Sequence, residues 1–159
     1  MNEILEIIEK NSKLTLEQVA VMAAMSVEDT KAAIEKFEAD GIILGYNTAI
    51  NWELTDREVV TALIEVKVTP QRGEGFDKVA ERIYRFEEVT DCYLMSGGFD
   101  LTVVIQGRTM KEVSQFVAEK LATLESVLST ATHFVMKKYK EKGTIFEKKP
   151  NPEVEAIFL

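Results

Sequence analysis

Apolar positions in the first 45 residues recur at helical spacing, and from Arg57 onward they alternate, turn helical and alternate again. Ile4, Leu5, Ile7 and Ile8 give one apolar face to a helix from Glu3 to Lys10. Leu16, Val19 and Ala20 mark a second helix, while Ile34 and Phe37, with Thr30 and Ala33 beside them, form the inward stripe of a third. Thr15 with Gln18, and Ser26 with Asp29, each put a side-chain acceptor at a helix start and a reciprocal polar group three residues on. The turn Val21-Met22-Ala23-Ala24-Met25 brings the third helix in steeply. Gly41 stops it, and Ile42 to Tyr46 reads as the first strand of a wing. Three helices then close a small core in a helix-turn-helix arrangement, although the same caps and stripes fit any small helical bundle.

The second part has a different rhythm. Glu58 to Val68 puts Val60, Ala62, Ile64, Val66 and Val68 on one face of a strand, and Pro70 to Gly75 breaks it. Phe76, Val79, Ala80, Ile83 and Tyr84 mark a helix. Val89 to Met95 and Leu101 to Gln106 are strands on either side of Ser96-Gly97-Gly98-Phe99-Asp100. Met110, Val113, Phe116, Val117, Leu121 and Leu124 mark another helix, before a last strand from Leu128 to Tyr139. Strand, helix, strand, strand, helix, strand is the order of a ferredoxin-like unit. The whole is then an α+β protein: a winged helix-turn-helix over residues 1–46, a connector over 47–57, a ferredoxin-like βαββαβ domain over 58–142 and a tail over 143–159. The strands read as apolar on both faces: Leu101, Val103 and Ile105 alternate with Val104, and Phe134 and Met136 alternate with His133 and Val135. Such a sheet predicts a symmetric dimer that buries the face its helices leave open.

Charge complicates the first domain. The net charge is −8, and residues 1–45 hold nine acids against four lysines, with no arginine before Arg57. Phosphate neutralisation by Lys and Arg supplies most non-specific DNA affinity, so a helix presenting Glu28, Asp29 and Glu35 repels a duplex. The one compact basic segment, Lys137 to Lys149, carries six lysines against Glu141 and Glu147 and reads first as a solvated strand end. The lone Cys92 sits in a strand pattern and reads as a small core hydrophobe. His133 has no second histidine or cysteine near it in sequence, so neither a metal site nor a catalytic site is expected. Without an 18-residue apolar run or a secretory leader pattern, the chain reads as a soluble cytoplasmic protein.

Three short motifs carry a family resemblance: Glu38-x-x-Gly41-Ile42-Ile43-x-Gly45-Tyr46 after the third helix, Ser96-Gly97-x-Phe99-Asp100 between the middle strands, and Val127 to Lys138 as the final strand. In this order, from about Leu5 to Phe146, they resemble the Lrp/AsnC, or feast/famine, transcription regulators. The resemblance implies a DNA-binding first domain, with Ser26, Thr30, Lys31 and Lys36 as candidate contacts, and a second domain that senses an amino acid while assembling homodimers into a larger ring, commonly an octamer. It implies no cofactor and no membrane partner. Carried over residue by residue, the effector lies between dimers, at the interface of the C-terminal domains, against Ser96, Gly97, Gly98, Phe99 and Asp100, with Thr130 and Thr132 as hydroxyl partners. Physical chemistry allows this, because glycines let backbone N–H groups approach a carboxylate and Asp100 can pair with an α-ammonium. Taken alone, the glycine pair reads first as a tight hairpin with Asp100 bonded to its own backbone.

The chain departs from the family pattern in its third helix. Ala33 stands where an arginine usually precedes the closing Leu-Glu, and Phe37-Glu38 replaces that pair. A regulator whose acidic helix-turn-helix binds DNA weakly is the first reading; an effector-sensing or hetero-assembly module of the same family, with little or no DNA binding, is the alternative. Sirohaem decarboxylases resemble the family in fold but depend on basic and histidine residues around a tetrapyrrole; this chain has one histidine and no arginine in its first domain, so an enzyme is not expected.

Overall fold

The computed structural model describes residues 2–70, 73 and 75–146. The chain divides into two compact units, Met1–Ala49 and Ile50–Leu159. No helix among the described residues is long and apolar enough to cross a membrane.

The first unit holds α1 (Asn2–Lys10), α2 (Leu16–Met22) and α3 (Val27–Ala39). Ile4, Ile7, Val19, Ala23 and Phe37 are buried together, with Leu5, Ile8, Leu14, Ala33, Ile34 and Ile43 packed around them. The Thr15–Gln18 capping box closes in both directions, the Thr15 N–H donating to Gln18 Oε1 at 2.9 Å and the Gln18 N–H to Thr15 Oγ1 at 3.3 Å. At α3 the Asp29 N–H donates to Ser26 Oγ at 3.0 Å, but the Asp29 carboxylate returns to the Ser26 hydroxyl, at 2.7 Å. Gly41, with φ +68°, ends α3 in a Schellman motif: its N–H reaches the Glu38 carbonyl and the Ile42 N–H reaches the Phe37 carbonyl. The expected wing strand at Ile42 to Tyr46 does not form, and the segment is irregular. A strand needs a partner ladder, and residues 47–49 offer none; Tyr46 is instead anchored by its hydroxyl, which donates to Glu38 Oε1 at 2.8 Å.

The second unit is built on a four-stranded antiparallel sheet in which strand Val89–Leu94 lies beside Leu101–Gly107, then Val60–Val68, then Val127–Phe134. Its elements run β1 (Val60–Val68), α4 (Asp77–Tyr84), β2 (Val89–Leu94), β3 (Leu101–Gly107), α5 (Met110–Phe116, continued by a π-helical turn to Leu121) and β4 (Val127–Phe134). Ala62, Ile64, Val66 and Val68 of β1 and Leu101, Val103 and Ile105 of β3 are buried with Val79 and Ile83 of α4 and Val113, Phe116 and Leu121 of the second helix. Cys92 packs at the margin of this core, where burial raises its thiol pKa.

Two sequence expectations are corrected here. The last strand ends at Phe134 instead of Tyr139, because Lys140–Glu141 (β5) pairs with Thr144–Ile145 (β6) across a Lys142-Gly143 turn in which both φ angles are positive. Residues 143–146 therefore fold back onto 139–141, and the hydrophobic end of the tail, 156–159, lies outside the described residues. The outer sheet face is also less apolar than expected. Register places Thr61, Leu63, Glu65 and Lys67 of β1 there, beside Thr102, Val104 and Gln106 of β3 and Ser129, Ala131 and His133 of β4. Val135 still donates its N–H to the Thr61 carbonyl of β1 at 2.9 Å, just past the end of β4, and Met136 lies beyond it. On this face His133 Nε2 lies 3.2 Å from Glu65 Oε1.

Candidate functional site

The segment Ser96–Asp100 connects β2 to β3 and is tied down at one end only. The Met95 N–H donates to the Asp100 carbonyl at 2.8 Å, and the Asp100 N–H donates to the Val66 carbonyl at 3.0 Å. The Asp100 carboxylate accepts from the Val68 backbone N–H through Oδ2 at 2.8 Å, while its other oxygen accepts no hydrogen bond among the described residues. Ser96, Gly97 and Gly98 are exposed, and Phe99 and Asp100 are half-buried. Gly97 has φ +146°, a conformation that side chains with a Cβ rarely adopt, yet nothing lies within 4 Å of where a Cβ would sit on either glycine. The peptide groups at the loop tip are thus open to a ligand, and Asp100 braces a neighbouring strand instead of its own turn.

Thr130 and Thr132 lie on β4, at the opposite edge of the sheet from β2. They pair with Val66 and Ile64, so both sit on the face that the helices cover, half-buried. Val66 ties the two halves of the expected site together: its carbonyl accepts from Asp100, and Thr130 is its register partner on the other side. Thr132 is one pleat further from the loop.

The four candidate DNA contacts do not share one surface. Ser26 is engaged in the α3 cap. Thr30 is 0% exposed and donates its hydroxyl to the Ser26 carbonyl at 2.8 Å, so its expected role in base contact is corrected: it belongs to the core. A spacing of four from Ser26 puts it one turn along, where a β-branched hydroxyl bonds back to the i−4 carbonyl. Lys31 lies 3.8 Å from Glu35 on the exposed face, and Lys36 is exposed. The outward face of α3 is consequently Val27, Glu28, Lys31, Ala32 and Glu35, mixed in charge and without arginine.

Sequence reasoning missed a groove of about 660 Å³ at the other end of the sheet, lined in part by Trp52, Arg57, Arg108, Val135, Lys137 and Phe146. Its walls come from separate segments that start at Ile50, Arg108 and Val135, with Phe146 beyond them, so no local motif announces it. The only signal was a pair of arginines placed where β1 begins and β3 ends. Among the described residues, no group of three His, Cys, Asp or Glu side chains is placed to hold a metal.

Comparison with known proteins gives this architecture a family. The Lrp/AsnC ligand binding domain matches residues 61–145. An uncharacterized HTH-type transcriptional regulator of Bacillus subtilis, YugG, is 55% identical over 146 residues, 91% of this chain and 88% of that protein. The leucine-responsive regulatory protein of Haemophilus influenzae is 25% identical over 139 residues, covering 87% of this chain and 83% of its own. The structure of a transcriptional regulator from Neisseria meningitidis in complex with L-Met superposes with TM-score 0.71 at 22% identity, over 87% of this chain and 89% of the other, which shows a shared fold. The chain belongs to the Lrp/AsnC family of transcriptional regulators.

Proposed function

We propose that this protein is an amino-acid-responsive transcriptional regulator in which the first unit binds DNA and the Ser96–Asp100 loop holds the effector. The observation that carries the reading is the state of Asp100: one carboxylate oxygen is fixed on the Val68 N–H and the other is left for an ammonium, beside exposed glycine peptide groups suited to a carboxylate. Phe99, half-buried, supplies an apolar wall, and Thr130, across Val66, supplies a hydroxyl. The matched ligand-binding segment spans this loop, and the Neisseria meningitidis neighbour was solved with L-Met. No cofactor or catalytic chemistry is required. We place the hinge between the two functions at the connector, residues 47–57. The assembly is a homodimer that builds a higher oligomer, an octamer by family resemblance, with Leu63 and Val104 on the outer sheet face as its apolar contacts.

DNA affinity is weak per copy on this reading, because the first unit is acidic, and is raised by several copies acting on one ring. The assembly-module reading is less favoured, since the relatives are named as transcriptional regulators. A thermal-shift screen with the twenty standard amino acids tests the effector half of the proposal. One or a few are expected to raise the melting temperature with dose, and the response is expected to vanish in Asp100→Asn. Silence from all twenty rejects the loop as an amino-acid site.

A further inference from the structure

The groove at the far end of the sheet has the features of a second ligand site, separate from the glycine loop. Arg57 and Arg108 both line it, and neither guanidinium forms an ion pair among the described residues, in a chain with 27 acids and 19 basic side chains. Arg57 is held through its side chain, and Arg108 is anchored through its backbone. The Arg57 guanidinium stacks over the Trp52 ring at 4.5 Å, and its backbone N–H donates to Thr55 Oγ1 at 3.2 Å while the Thr55 hydroxyl donates to the Trp52 carbonyl at 2.9 Å. The Arg108 N–H donates to Glu112 Oε2 at 2.8 Å, next to Thr109, whose hydroxyl oxygen caps α5 by accepting from the Glu112 N–H at 3.1 Å. Asn51 closes one side, its side-chain N–H donating to the Phe146 carbonyl at 3.4 Å.

We propose that this groove binds a small organic carboxylate with a flat apolar body, the carboxylate on Arg57 and Arg108 and the body against Trp52, Val135 and Phe146. A guanidinium stacked on an aromatic ring keeps its edge N–H groups free, in the fork that matches a carboxylate. The volume is in the range of small-molecule sites, whose walls are mainly apolar with a few charged groups that fix orientation. Glu53, Asp56 and Glu58 line the same groove with Arg57, Arg108, Lys137 and Lys138, three acids against four cations, so the balance fits a single carboxylate better than a multiply charged anion such as a nucleotide. The same acids allow the carboxylate to belong to an amino acid, with its ammonium on Asp56 or Glu58.

Trp52 is the only tryptophan, so its fluorescence reports on the groove directly. The full chain is titrated with phenylacetate, phenylalanine and the uncharged phenylacetamide. The expected result is a saturable change with phenylacetate that phenylacetamide does not give. Replacing Arg108 by Gln should then weaken binding roughly tenfold or more, the loss of a charge-assisted hydrogen bond, with the melting temperature of the free protein unchanged. Arg57→Lys should weaken binding as well, since it keeps the charge and loses the fork. Asp100→Asn should leave it untouched, which separates this site from the glycine loop. Tighter binding of phenylalanine than phenylacetate assigns the site to an aromatic amino acid; the reverse order assigns it to a simple aryl acid. No saturable change with either acid, an equal response to phenylacetamide, or full affinity in Arg108→Gln overturns the proposal.

Discussion

The Asp100 carboxylate accepts a hydrogen bond from the Val68 backbone N–H at 2.8 Å, joining the start of β3 to the end of β1, where the β1–β4 register shifts between Lys67 and Val68. At this bulge Val68 pairs with Val127, and the Thr69 N–H donates to the Ser126 carbonyl. Asp100 thus has a structural duty on one oxygen and an open valence on the other, and the two are separable. Asp100→Ala leaves a half-buried N–H without its acceptor and should cost about 1–3 kcal/mol in the free protein. Asp100→Asn keeps an acceptor for Val68 and should cost much less, while losing the charge that an ammonium needs. Urea unfolding beside the thermal-shift response measures both. A stable Asn variant that still responds to the effector places the ammonium contact elsewhere.

Gly97 offers a complementary test at the loop tip. There is space for a side chain but not the backbone freedom, since φ is +146°. Gly97→Val is expected to strain the loop by about 1–3 kcal/mol and to block close approach of a carboxylate to the peptide groups. Isothermal titration with the effector found in the amino-acid screen should show binding lost. Undiminished affinity in the valine variant would mean that the ligand does not touch this turn.

How much of this was legible in the sequence depends on the range of the interaction. The helix starts at Thr15 and Ser26 and the stop at Gly41 could be read because capping is settled within three or four residues. The ferredoxin-like order was equally plain from the change of period. The wing strand failed because pairing is non-local, and Ile42 to Tyr46 finds no ladder. Thr30 belongs with the inward stripe beside which its spacing puts it, and not with the DNA contacts that the resemblance implied, since its hydroxyl is satisfied by the Ser26 carbonyl inside the helix. Of the proposed effector site, only the turn at Ser96–Asp100 was readable, from its two glycines. The Asp100–Val68 bond spans 32 residues, and the Arg57–Arg108 groove depends on the whole sheet, so neither leaves a local trace.

Ala24, between α2 and α3, sits at φ +52°, one of two non-glycine residues with positive φ among the described residues. The tight turn requires it: the Met25 N–H reaches back to the Ala20 carbonyl at 2.9 Å. An L-residue with a Cβ pays roughly 1–2 kcal/mol for this conformation, part of which glycine recovers after its larger unfolded-state entropy is deducted. Ala24→Gly should therefore stabilise the first unit, by about 0.5–1 kcal/mol. Chemical denaturation followed by helical circular dichroism would show it, and a destabilised variant would mean that the methyl group's packing outweighs the strain.

Glu88 and Lys120 form an ion pair over the edge-on rings of Phe86 and Phe116, whose centroids are 5.5 Å apart, and the Lys120 ammonium lies 5.7 Å from each ring. The hydrogen bond from Lys120 holds the Glu88 carboxyl below its ordinary value of 4.5. A depressed folded-state pKa stabilises the protein fully above the unfolded value and is lost as pH falls through the folded one. Stability should accordingly decline below about pH 4.5, and Glu88→Gln should flatten that decline. The pair is partly exposed, so the difference at neutral pH should stay near 0.2–1 kcal/mol. An acid limb of unchanged steepness in the Gln variant would assign the decline to other carboxylates.

The charge of α3 leads to the last expectation. Its outward face offers Lys31, already beside Glu35, and Glu28, with Lys36 further along and no arginine. Each phosphate neutralised by a protein cation contributes about 0.9 to the slope of log affinity against log salt. A first unit with so few available cations should bind a generic duplex poorly, with a slope corresponding to only one or two contacts per copy. Fluorescence anisotropy on a mixed-sequence duplex across a salt series measures this, and Lys36→Gln should reduce the slope by about one unit per copy. Charge reversal is the converse experiment: Glu28→Lys, on the first turn of α3, should raise non-specific affinity and steepen the slope without touching the cap that Ser26 and Asp29 make. A steep slope in the unaltered protein would show that the phosphate contacts come from somewhere other than this helix.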